Sequence, residues 1–226
     1  MVPVLVIATF VAFILAAVLY QWAFRGQRAS TGAAAAPGPR VPAAAGSPPL
    51  PEGIFIDSGH TWLGLEPAGA VRLGMDGFAG RALGRIDGID LPRTGTRILR
   101  GDPLFTIRQG GRMAAFSSPM DGEVASVNQD LAREPGTAGV DPYGRGWICC
   151  LKPENLAKNL RQLRVAGEAR EWIAGEVRRF QEFITGRPLA VAAARALPDG
   201  GQPLPGVLET MDEETWNRFL REFLIR

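Results

Sequence analysis

Apolar and polar positions divide the chain into stretches of different rhythm. Residues 2–24 hold no charged side chain. As a helix this run spans roughly 34 Å, enough for a hydrocarbon core of about 30 Å. Tyr20 and Trp22, side chains suited to a membrane interface, close it, and Arg25 and Arg28 follow. The pattern predicts a single-pass transmembrane helix over 2–24. Positive charge on its C-terminal flank predicts that the rest of the chain lies on the cytoplasmic side of the inner membrane. The rival reading is a cleaved signal peptide ending near Ala33–Ala36. It fits less well, because no Lys or Arg precedes the run and the arginines come after it. Residues 25–53 then lose all periodicity. Pro37, Pro39, Pro42, Pro48, Pro49 and Pro51 stand among Ala, Gly and Ser, which predicts a linker without packed elements.

From Ile54 the rhythm shortens. Val71–Leu73, Arg85–Ile89, Leu104–Ile107 and Glu123–Val127 are brief, partly alternating runs, separated by Pro92, Gly95, Gly101-Asp102, Pro119 and Asp121-Gly122. Such spacing predicts an all-β barrel or sandwich. One short helix interrupts it, with Asp76 as N-cap and Phe78, Ala79 and Leu83 turned inward. After Pro153 the period becomes helical. Leu156, Leu160 and Leu163 mark a first helix that starts at Pro153 and breaks at Gly167. Trp172, Ile173, Val177, Phe180 and Ile184 mark a second, stopped by Gly186 and Pro188; packing against the β-domain accounts for its aromatic stripe. The fold class is thus mainly β with flanking α-helices, and the domain runs over 54–186.

Residues 187–226 form a Pro/Gly-rich linker and an amphipathic tail helix. Thr210 and Glu213 have capping-box spacing. Trp216, Phe219, Leu220, Phe223 and Leu224 follow the i, i+3, i+4, i+7, i+8 pattern. A face this apolar must be covered. Packing on its own domain is the plain expectation. A partner groove is the functional alternative, which makes these five the candidate partner-docking residues; a membrane surface is the third, weakened by a mixed rather than basic polar face.

Composition removes several function classes. The formal net charge is +2, with both signs mixed throughout, and no basic block argues for nucleic acid. Cys149 and Cys150 are adjacent and point to opposite faces of a strand, so they are poorly placed to bridge each other. His60 is the one histidine, with no ligand cluster for a metal and no nucleophile partner. No phosphate loop or nucleophile elbow is present, so the chain is read as a non-enzyme without a small-molecule substrate.

The most telling stretch runs from Leu104 to Val124, a hairpin whose tip is Gly110-Gly111-Arg112. Around it His60-Thr61-Trp62, Gly77-Phe78-Ala79, Leu83-Gly84, Leu91-Pro92, Gly101-Asp102, Gly122-Glu123-Val124, Val127-Asn128, Asp141-Pro142-Tyr143 and Gly146-Trp147-Ile148 occur in one order. Over about Phe55 to Lys152 that ordered set resembles the glycine cleavage system H protein family. The resemblance implies a barrel-sandwich hybrid fold and, in the family, a lipoyl arm on a hairpin lysine that carries an aminomethyl group between enzymes. Counting back from Pro119, the lysine position falls on Gly111 and the acidic position three places earlier on Arg108. The chain has two lysines, Lys152 and Lys158, neither near the tip. No cofactor is therefore assigned. The resulting expectation is a membrane-tethered, non-lipoylated adaptor for an unidentified protein. The alternatives are a functional H protein and a periplasmic transport adaptor of lipoyl-like fold. The last normally inserts a long helical hairpin at the tip, and only four residues join Ile107 to Arg112 here.

Overall fold

The computed structural model describes residues 50–67, 69–185 and 205–225. The expected transmembrane helix over 2–24 and nearly all of the linker over 25–53 lie outside them. No helix among the described residues is long and apolar enough to cross a membrane. Among the described residues ten strands form two antiparallel sheets: β1 (Ile54–Ile56), β2 (Thr61–Leu65), β3 (Val71–Met75), β4 (Gly88–Asp90), β5 (Arg97–Ile98), β6 (Pro103–Gln109), β7 (Arg112–Ser117), β8 (Gly122–Val127), β9 (Cys149–Pro153) and β10 (Arg164–Val165). The larger sheet has the order β10-β1-β2-β3-β9-β8-β5, the smaller β4-β6-β7. Alternate residues of both face one core. Leu63, Val71, Leu73 and Leu151 come from the larger sheet, and Phe105, Ile107, Ala114 and Phe116 from the smaller.

The motif residues tie the connections to this sandwich. Trp62 is 1% exposed and its Nε1–H donates to the Pro142 carbonyl at 3.0 Å. The Tyr143 hydroxyl accepts the Gly77 N–H at 3.0 Å, at the start of helix α1 (Gly77–Leu83). Asn128 is buried, and its Nδ2 donates to the carbonyls of Arg145 and Trp147, both at 2.8 Å. Replacing Asn128 with Ala strands both carbonyls, and a loss of about 1–3 kcal/mol in urea denaturation is expected; no loss would show that water replaces the amide.

Helix α1 forms as expected: Asp76 Oδ1 accepts the Ala79 N–H at 2.8 Å, and Phe78, Ala79 and Leu83 are buried. The region after Pro153 differs from the expectation. Pro153 is the last residue of β9, not the first of a helix. A five-residue helix, Leu156–Leu160, gives way to β10, which pairs with β1 and so covers that edge of the sheet. The break thus precedes Gly167, which lies inside the long helix Ala166–Thr185. In order, α2 is Thr137–Val140, α3 is Leu156–Leu160 and α4 is Ala166–Thr185. The Arg85–Ile89 run also yields strand only at its end, in β4, because Arg85–Asp87 form the loop that carries the chain from α1 into the smaller sheet.

The C-terminal segment begins with a 3-10 turn, Val207–Thr210. It continues as α5 (Glu213–Phe219) and a π-helical extension, Leu220–Leu224. Its cap is Asp212, whose side chain accepts the Thr215 N–H at 2.7 Å. Thr210 does not cap the helix; its hydroxyl donates to the Val207 carbonyl within the preceding turn. Trp216, Phe219, Phe223 and Leu224 are buried in the same core as the sheets, and Leu220 packs on it partly buried. The partner-docking reading of these five residues is therefore corrected. Their apolar face is filled by Phe78, Phe180 and Phe183 of the chain itself.

Candidate functional site

The site is the tip of the β6–β7 hairpin and what surrounds it. Gln109 pairs with Arg112, which leaves Gly110 and Gly111 as a two-residue turn. Their φ angles are +54° and +83°, both left-handed, as the hairpin turn matching strand twist requires. Nothing lies within 4 Å of where a Cβ would sit on either residue, so the tip projects into open space. The turn is held from one side. The Gly110 N–H donates to Asp87 Oδ2 at 2.7 Å, and Gln109 Nε2 donates to the carbonyls of Leu83 and Arg85 at 2.6 and 2.5 Å.

Gly111, the residue expected at the family's arm position, is thus at the apex. Arg108, three places earlier, faces Asp90 across an exposed 3.3 Å ion pair between β6 and β4. Lys152 lies on β9 of the other sheet, opposite Glu123, and Lys158 lies on α3. Neither amine belongs to the hairpin. Met113, on the far side of the turn, is 62% exposed.

The structure adds contacts that the sequence did not point to. Arg112 leaves the tip and reaches the C-terminal segment: its guanidinium donates to the carbonyls of Met211 (3.1 Å) and Glu209 (3.3 Å) and lies 4.5 Å from the Trp216 ring centre. Glu209 Oε1 accepts the Arg85 N–H at 2.7 Å. Two of the candidate groups, the tip and the tail segment, are therefore brought together through Arg112, which meets the Glu209 and Met211 carbonyls and, of the aromatic face, Trp216. No spacing rule links residues 112 and 209 in sequence, so no signal there could have found them.

His60 lies apart from the tip. It is fully buried, with φ +60°, stacked on Phe78 and near Trp172. Nδ1–H donates to Asp76 Oδ2 at 2.8 Å, and Nε2 faces Glu176 Oε2 at 3.6 Å, an ionic contact too long for a hydrogen bond. Burial alone pushes the imidazole pKa down. The charge and hydrogen bond of Asp76, joined by Glu176, outweigh it and raise the pKa to about 9. The ring is an imidazolium locked between two carboxylates, which suits a structural clamp and not a general base. Cys149 is likewise inert: burial, with Cys150 beside it, pushes its thiol up to about 12.

Residues 55–176 match the family model described as glycine cleavage H-protein. The chain belongs to that family. Among similar proteins, a probable glycine cleavage system H protein of Pyrococcus horikoshii is 31% identical over 122 residues, 54% of this chain and 90% of that protein. The glycine cleavage system H protein of Chromobacterium violaceum is 34% identical over 117 residues, 52% of this chain and 91% of that one. A crystal structure of the H protein from Mycobacterium marinum aligns with a TM-score of 0.48 and 25% identity, covering 56% of this chain and 98% of that one. In this H-protein-family chain the matched stretch takes in both sheets and most of α4, and leaves the C-terminal segment outside.

Proposed function

We propose that this chain is an H-protein-family module without a lipoyl arm, which presents the family domain to a protein partner and performs no chemistry of its own. The observation that carries the reading is the apex of the hairpin. A lipoyl arm is joined through an amide to a lysine amine, and the apex is Gly110-Gly111 with its nearest cation an arginine turned away onto Met211 and Glu209. The uncharged run over 2–24, followed by Arg25 and Arg28, supports a tether that holds the domain at the cytoplasmic membrane face.

A second reading, an aminomethyl carrier working in glycine cleavage, is favoured by the names of the relatives. It requires an amine that can swing, and Lys152 and Lys158 stand on elements away from the tip. One experiment separates the two. The native, full-length chain is isolated from its own cells and weighed intact. The unmodified mass, recovered with membranes after peripheral proteins are washed off, is expected. A lipoyl adduct would establish the carrier instead, and recovery in the soluble fraction would remove the tether.

A further inference from the structure

We draw no further inference here: the strongest candidate, the groove of about 430 Å³ that Ile54, Trp62, Gly64, Arg72 and Tyr143 line at the β1–β2 side of the larger sheet, carries none, because nothing in the structure shows what covers it.

Discussion

Replacing Phe223 with Ala is expected to remove about 3–5 kcal/mol of stability, read as a lower urea midpoint at unchanged slope. Phe223 is fully buried. Its ring meets Phe180 and Phe183 edge-on, both at 5.6 Å, stacks on Phe219 at 5.0 Å and lies 5.9 Å from Phe78. These partners come from α1, α4 and α5, so one side chain joins the C-terminal segment to both helices beneath it. The void left by Ala cannot be closed by a single neighbour, because each ring is already held by the others. Ile225, two residues on, is 67% exposed, and Ile225→Ala is expected to stay within about 0.5 kcal/mol of the parent. Similar midpoints for the two variants would mean that the segment does not contribute to the domain's core.

The aromatic stripe of the tail was readable as a face that must be buried, and the residues were the right ones. The occupant was not readable. Helical periodicity says which side chains share a face, but the surface that receives them is assembled from Phe78, Phe180 and Phe183, far apart in sequence. The ordered Gly, Pro and aromatic motifs were more informative than any propensity. Each marks a connection with a particular bond to make: Asn128 to Arg145 and Trp147, Tyr143 to Gly77, Trp62 to Pro142. The region after Pro153 was misread for the converse reason. Leucines spaced three and four apart look helical whether or not the helix continues, and only the pairing of Arg164–Val165 with β1 decides that it stops. The hairpin tip was legible outright, since a two-glycine turn between alternating strands needs no tertiary information. What the turn's flanking arginine does depends on Glu209 and Met211, and is visible only in three dimensions.

His60→Asn is expected to be as damaging as the loss of Phe223, by a different mechanism. The backbone at His60 has φ +60°, a region asparagine tolerates, so this substitution tests the charge more than the chain path. It removes the cation that separates Asp76 from Glu176 in a site with no solvent exposure at the histidine. Leaving buried charge without its partner costs about 3–5 kcal/mol. The parent protein should also carry a signature in pH. The folded imidazole titrates near 9 against an ordinary 6.5, so folding binds it a proton more tightly. A raised pKa stabilises the fold fully below 6.5, and that contribution fades as pH climbs through 9. The shift corresponds to roughly 3 kcal/mol for a group so completely buried. Both carboxylates have further contacts: Asp76 caps α1, and Glu176 is also held by Arg179 at 3.0 Å. Urea denaturation of the parent should therefore lose midpoint steadily between 6.5 and 9, and the His60→Asn protein, already weaker, should show a flatter profile over that window. A parent midpoint that does not move there would mean the imidazole is neutral between its two carboxylates, and the clamp would have to be assigned to hydrogen bonding alone.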